Sequence, residues 1–187
     1  MMKKGLLVIV AIVLVLALTG FGSYNRLVAI DEGVNGKWSQ VETQLQRRAD
    51  LIPSLVETVK GFAAHEEQVL ADISQARAKL GGAQTVRETA EADAELSSAL
   101  SRLLVVVENY PTLKADANFR QFQDELAGTE NRIATARMDY NTAVQGYNGT
   151  IRRFPTVVWA RLLGFGSKEY FQAEADAHKA PKVDFSK

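Results

Sequence analysis

The sequence contains few residues that could perform acid–base, nucleophilic or metal chemistry. It has two histidines and no cysteine, which excludes disulfide bonds, thiolate metal sites and a cysteine nucleophile. His65-Glu66 resembles the start of an H-E-x-x-H zinc motif, but Val69 stands where the second histidine would be. G-x-S-x-G and glycine-rich phosphate-loop patterns do not occur. We therefore expect no catalytic residues, no metal and no cofactor, and we predict that the protein is not an enzyme.

Charged residues at positions that favour apolar side chains are the stronger candidates for a specialised site. Arg48 and Glu66 interrupt an otherwise apolar series, and about 27 Å would separate them along one helix, too far to pair with each other. A buried charge is costly without a partner. Each therefore needs an opposite charge from a facing helix, unless the packing is loose there or the side chain extends into solvent. We take Arg47, Arg48, Asp50 and Glu66 as candidate buried polar or partner-contact positions.

The helix that carries these residues is predicted from spacings of four and three, at which twelve of fourteen positions are apolar. The series crosses Pro53 in phase, so the helix either bends there or restarts with Asp50 as its cap. Gly81-Gly82 ends it. The positions are Val34, Trp38, Val41, Leu45, Arg48, Ile52, Leu55, Val59, Phe62, Glu66, Val69, Ile73, Ala76 and Leu80.

Two further long helices follow. One is predicted over Thr89–Asn109 and is ended by Tyr110-Pro111, because the residue before a proline disfavours helical geometry. The other begins near Asp116 or Asn118 and runs to about Ile151. The predicted fold is all-α: an antiparallel up-and-down helical bundle of three long helices, or four if the first splits near its proline, preceded by one transmembrane helix.

The N-terminal end differs from the helical body. Lys3 and Lys4 precede an apolar run from Gly5 to Leu18, which predicts an uncleaved membrane anchor over residues 1–24, with a cleaved signal peptide as the alternative. The two lysines favour a cytoplasmic N-terminus, which places the bundle on the extracytoplasmic side. With 22 basic and 22 acidic residues the net charge is zero, so we expect no nucleic-acid partner.

The bundle is assigned to residues 25–165 and a polar C-terminal tail to residues 166–187, in which Tyr170, Phe171 and Phe185 could dock. The apolar stretch at the end of the bundle has two interpretations. It is a short helix that caps the bundle, or an interfacial helix that contacts the membrane, since tryptophan and arginine suit the headgroup layer. The candidate membrane-interface residues are Phe154, Trp159, Arg161 and Phe165.

Motifs spread over nearly the whole chain resemble those of one protein family. They are Trp38–Glu42, Gln44–Gly61, Ala64–Glu66, Glu108–Pro111, Leu113–Ala115, Glu125-Leu126, Thr129–Ile133, Ala136-Arg137, Tyr140-Asn141, Tyr147-Asn148, Arg153–Pro155, Gly164-Phe165 and Ala180–Phe185. Together they resemble the LemA family. The resemblance implies a bacterial membrane protein with one N-terminal anchor, a four-helix bundle and no assigned catalytic residues. It also implies envelope neighbours of the TPM-domain or metallopeptidase type.

Three functional hypotheses follow. The first is a membrane-anchored, non-enzymatic helical scaffold or interaction protein of the bacterial cell envelope, single-pass in the cytoplasmic (inner) membrane and self-associating. The second is a membrane-remodelling or lipid-sensing protein that uses residues 154–165 as a second membrane contact. The third is an accessory subunit of an envelope protease or another enzyme.

Overall fold

Helices form all the regular secondary structure of residues 2–63 and 65–172, which are the residues that the computed structural model describes. No strand occurs among them, so the predicted all-α class is confirmed. Phe185, which was expected to dock, lies outside the described residues. The helices are α1 (Met2–Lys60), α2 (Glu67–Gly82), α3 (Val86–Val107), α4 (Pro111–Ala115), α5 (Ala117–Ile151) and α6 (Thr156–Leu162).

Helix α1 continues through Pro53, so the alternative in which the chain restarts there is wrong. A proline inside a helix cannot donate a hydrogen bond to the carbonyl four residues earlier, which here belongs to Ala49. That carbonyl instead accepts a hydrogen bond from Nε of Arg77, on α2, at 2.8 Å. A side chain from a neighbouring helix therefore replaces the backbone donor that the proline lacks.

The first helix ends at Lys60, so the prediction of one helix to Leu80 is wrong. Gly61 has low helix propensity, and it opens the turn between α1 and α2. Within the turn the buried residue is Ala63, whereas Phe62, which the apolar series placed inside, is 42% exposed. The split that turns three long helices into four therefore lies at this turn and not at Pro53.

Side-chain caps fix the starts of α3 and α5. Thr85 and Glu88 form a capping box, in which each side chain accepts a hydrogen bond from the other residue's backbone N–H at 3.1 Å. This box explains why α3 begins before the predicted Thr89. The carboxylate of Asp116 accepts a hydrogen bond from the Phe119 N–H at 2.9 Å, as expected for a cap at the start of the third long helix.

The described chain divides into two compact units. The first comprises residues 2–39 and 139–169, and the second comprises residues 40–63, 65–138 and 170–172. In the first unit, Lys37 pairs with Asp139 at 2.8 Å, and the ring centroids of Trp38 and Tyr140 lie 5.2 Å apart. These contacts join α1 to α5.

In the second unit, two ion pairs show that α2 and α3 run antiparallel. Asp72 pairs with Arg102 at 3.1 Å, and Lys79 pairs with Glu95 at 2.7 Å. The later residue of α2 thus contacts the earlier residue of α3. The complete up-and-down arrangement of the bundle stays a prediction.

The predicted N-terminal anchor also stays a prediction. Along the stretch of chain that the structure describes, no helix is both long enough and apolar enough to cross a bilayer.

Candidate functional site

Four charged side chains from three helices meet in the second unit. In this charge cluster (Arg48, Asp93, Glu130 and Arg137), Nη1 of Arg48 lies 3.0 Å from Oδ1 of Asp93 and 2.8 Å from Oε2 of Glu130. Arg137 forms a second ion pair with Asp93. Asp93 is fully buried and Arg48 is only 5% exposed. The structure thus places Arg48 in a paired, buried environment contributed by α1, α3 and α5.

The pKa shifts of the two arginines indicate that the cluster is suited to permanent ion pairing and not to proton transfer. Burial lowers the pKa of Arg48, while the nearby charge of Glu130 opposes that shift. Burial, with a smaller contribution from the charge of Arg48, lowers the pKa of Arg137 to about 10. Arg137 therefore still carries its proton near pH 7. Two positive and two negative groups balance one another, so the cluster is suited to fixing helix positions.

Two members of the charge cluster lie on the apolar, buried faces of their helices, so packing of these faces brings them together. Arg48 lies on the buried face of α1 between Leu45 and Ile52, and Asp93 lies on the buried face of α3. The guanidinium of Arg137 lies 4.5 Å from the ring centroid of Phe171, which is itself buried. The expectation that Phe171 docks therefore agrees with the structure.

Sequence reasoning missed Asp93 and Arg137. The available signal was that Asp93 stands three residues before Leu96, at the helical spacing of the leucine face of α3. An acidic residue at that spacing is a natural partner for a buried arginine.

The other candidate polar residues do not join the cluster. Glu66 is half-buried just before α2 and accepts a hydrogen bond from the Tyr110 hydroxyl at 2.9 Å, so its partner is not the opposite charge that was expected. This bond raises the pKa of Tyr110. Arg47 and Asp50 are exposed on α1, and Asp50 accepts a hydrogen bond from Gln46 at 2.7 Å. Burial is therefore the wrong interpretation for Arg47 and Asp50.

The candidate interface residues divide into exposed and packed groups. Phe154 is 84% exposed, and Arg161 is exposed at the end of α6. The Trp159 ring lies against Gly20, so closely that a Cβ atom there would be 3.0 Å from the ring. Phe165 makes an edge contact with Tyr24, with ring centroids 6.3 Å apart. Helix α6 therefore lies beside the N-terminal part of α1.

The chain beyond α6 is held against α5 by side chains that contact its backbone. Asn148 donates a hydrogen bond to the Lys168 carbonyl and accepts one from the Lys168 N–H, both at 2.9 Å. The Tyr140 hydroxyl donates to the Glu169 carbonyl at 2.8 Å. Sequence reasoning assigned these residues to a polar tail and did not predict the contacts.

Among the residues whose placement is described, no three histidine, cysteine or acidic side chains converge to form a metal site. The LemA family model matches residues 37–185 of this chain, which is most of its length.

The chain belongs to the LemA family. The resemblance inferred from the motifs is thereby confirmed. The region of this LemA-family chain that matches includes the whole charge cluster and α6, and it begins after the apolar run.

Several relatives share sequence with this LemA-family chain. It is 31% identical over 175 residues to Magnetosome protein MamQ 2 of Paramagnetospirillum magneticum, covering 80% of this chain and 64% of that protein. It is 27% identical over 187 residues to Magnetosome protein MamQ of Magnetospirillum gryphiswaldense, covering 86% and 66%. It is 26% identical over 153 residues to Protein LemA of Metamycoplasma hominis, covering 81% and 70%. The chain thus spans slightly less than two thirds of the length of these MamQ proteins.

Proposed function

We propose that this LemA-family protein is a membrane-anchored, non-enzymatic helical scaffold of the bacterial cell envelope that self-associates and binds envelope membrane proteins. The exposed apolar side chains of the first unit carry this proposal. In water such side chains are costly when they cluster, whereas a bilayer solvates them. On α1 they are Leu7, Ile9, Val10, Leu14 and Phe21, and in or next to α6 they are Phe154, Val158, Leu162 and Leu163.

The second unit supports a scaffold over an enzyme. Asp93 and Arg48 are buried there, and both are engaged in ion pairs within the charge cluster. Cross-helix ion pairs are well suited to setting which helices meet and in which register. The proposed neighbours are proteins of the TPM-domain or metallopeptidase type, and lipid is the proposed partner of the N-terminal helix.

Membrane extraction of the full chain tests the anchor. We expect the protein to stay with membranes after an alkaline carbonate wash, and a variant with Leu7, Ile9, Val10 and Leu14 all changed to Ser to appear in the supernatant. The control variant carries Leu104→Ser and Val105→Ser, which remove exposed apolar side chains from α3 and should leave the protein with the membranes. Wild-type protein in the supernatant would overturn the anchor.

The exposure of Phe154 and Leu162 favours a second candidate function, a lipid contact made by α6. A vesicle-flotation experiment with the same four-serine variant tests it. If the four-serine variant still floats with vesicles that contain anionic phosphatidylglycerol, and adding Phe154→Ser with Leu162→Ser abolishes flotation, then α6 binds lipid. If the four-serine variant does not float, the α6 contact is rejected and the anchor accounts for membrane binding.

A further inference from the structure

The segment that follows α6 occupies a site built from five polar side chains of the first unit. We call this site the lysine seat (Asp31, Asn35, Tyr140, Tyr147 and Asn148). We propose that the lysine seat recognises an extended peptide that bears a lysine, that Lys168 of the same chain fills it in cis, and that the same segment of a second copy exchanges with it in trans. The exchange of this segment between two copies rests on the proposed self-association and would explain it. The binding of Lys168 in the lysine seat does not depend on self-association.

One set of contacts in the lysine seat is with the backbone of the bound segment. The side-chain amide of Asn148 satisfies both the N–H and the C=O of Lys168, which requires both groups to point to the same side, as they do in an extended residue. The hydroxyl of Tyr140 binds the next carbonyl, that of Glu169. These three bonds involve only backbone atoms of the bound segment, so they select its conformation and not its sequence.

Selection for lysine comes from the other side of the seat. Nζ of Lys168 lies 2.8 Å from Oδ1 of Asn35 and 3.0 Å from Oδ1 of Asp31. It also lies 5.7 Å from the ring centroid of Tyr147, within the range of a cation–π contact. A carboxylate, an amide oxygen and an aromatic face together suit a compact ammonium ion better than a neutral or acidic side chain.

All five residues of the lysine seat lie on two long helices: Asp31 and Asn35 are on α1, and the other three are on α5. Tyr140 and Tyr147 are each 2% exposed, and Asn148 is 6% exposed. Burial, with a smaller contribution from the nearby Asp31 carboxylate, raises the pKa of the Tyr147 hydroxyl. The helical backbone of α5 fixes the spacing of Tyr140, Tyr147 and Asn148, and such pre-organisation lowers the entropic cost of binding a ligand.

The bound segment follows a glycine-containing connection. Gly164 has φ of +79° and ends α6, with the Phe165 N–H bonded to the Ala160 carbonyl at 2.9 Å. Gly166 then precedes Ser167 and Lys168, so the backbone beyond the cap has a flexible residue type at which to change direction. A segment tethered by a short flexible linker has an effective concentration on the order of millimolar.

A labelled peptide with the sequence of residues 164–172 is the probe for the seat. We expect its fluorescence anisotropy to show at least about ten-fold tighter binding to the detergent-solubilised full chain carrying Lys168→Glu than to the wild type. The reversed charge faces Asp31 and releases the chain's own segment, leaving the seat open. A probe with alanine in place of its lysine should bind at least about ten-fold more weakly.

Two seat variants keep this test decisive. Adding Asn148→Ala or the conservative Asp31→Asn to the Lys168→Glu chain should abolish probe binding, while circular dichroism melts report whether each variant folds. The seat is rejected if the probe binds the wild type and the Lys168→Glu chain equally, fails to bind the latter at 1 mM (on the order of the tethered concentration), or ignores Asp31→Asn.

A separate co-purification experiment tests whether the segment exchanges between two copies. A tagged Lys168→Glu chain has an open seat, and an Asn148→Ala chain has an intact segment but a damaged seat. We expect these two to co-purify when mixed, and to do so more strongly than either variant with a differently tagged copy of itself. If the probe binds but the mixed chains do not exceed that background, exchange between copies is wrong and the seat stands. Crosslinked oligomers that form regardless of these variants would leave the proposed self-association intact while removing this explanation of it.

Discussion

A fully buried aspartate between two arginines sets the charge balance of the second unit. Asp93 contacts both Arg48 and Arg137, and Glu130 adds a second negative group near Arg48. A buried ion pair adds little net stability compared with apolar packing, but removing one partner leaves an uncompensated charge and is strongly destabilising. The cluster is therefore most sensitive to the loss of a single member.

Asp93→Asn should lower the free energy of unfolding by about 3–5 kcal/mol, because it leaves Arg48 and Arg137 with too little negative charge. Urea unfolding of the full chain in detergent, followed by circular dichroism, measures this. The matched control is Glu95→Gln on the same helix. Glu95 and Lys79 are each about half exposed, so this change should cost about 0.5 kcal/mol or less.

Changing Asp93 to Leu together with Arg48→Met and Arg137→Met should recover most of that stability, since apolar replacement of a whole buried network is often neutral or favourable. Equal effects of Asp93→Asn and Glu95→Gln would contradict the central role of Asp93.

At the scale of single residues, the sequence identified Arg48 as a buried charge but did not identify Asp93 as its partner. Arg48 stands out because it interrupts an apolar series, and a charge at such a position demands a partner. Asp93 could not be assigned from spacing alone, because the choice among acidic residues depends on how α1, α3 and α5 meet. Glu66 shows the converse: its position suggested burial, but the turn after Lys60 moves it to the end of a helix.

At the scale of the helices, α1 depends on a neighbour to remain continuous. The Ala49 carbonyl would have no backbone donor, because Pro53 has no N–H. Arg77 supplies that donor from α2, so the two positions are coupled through one carbonyl.

Arg77→Met should cost about 1–2 kcal/mol in the wild type, because it leaves a part-buried carbonyl unsatisfied. In a Pro53→Ala background the same change should cost less, since the N–H of residue 53 then bonds to the Ala49 carbonyl. A double-mutant cycle from thermal and urea unfolding measures the coupling. Additive effects of the two changes would show that the Arg77 bond does not replace the missing backbone donor.

Helix existence was predictable, and helix ends were partly so. The apolar periodicity indicated the long helices, and Asp116 was recognised as a cap. The capping box of Thr85 and Glu88 corresponds to a T-x-x-E pattern in the sequence. The end of α1 was not predicted, because the apolar series continued in phase across Gly61 while the backbone did not.

At the scale of the whole chain, apolar periodicity was sufficient to predict the all-α class, and the resemblance of its motifs was sufficient to indicate the family. They were not sufficient for the lysine seat, because its contacts join residues far apart in the sequence. Lys168 and Asn35, for example, are separated by 133 positions. The segment that fills the seat is polar and has no periodicity, which is why it was assigned to a polar tail.

The absence of cysteine makes the proposed topology directly measurable. Thr112 is exposed on α4, so a Thr112→Cys variant presents one thiol. We expect a membrane-impermeant maleimide to label it in intact spheroplasts, since Lys3 and Lys4 favour a cytoplasmic N-terminus and an extracytoplasmic bundle. The cysteine-free wild type is the background control. Labelling only after lysis would place the bundle in the cytoplasm.

The charge cluster also has a consequence for the order of events during synthesis. Arg48 leaves the ribosome first, its partner Asp93 is 45 residues later, and Glu130 and Arg137 belong to a helix that is translated later still. A nascent chain therefore carries ionised groups that water must hydrate until α5 has emerged. The second unit can complete its interior only after α5 has been translated, and a polypeptide released before α5 would lack Glu130 and Arg137, half of the charge cluster.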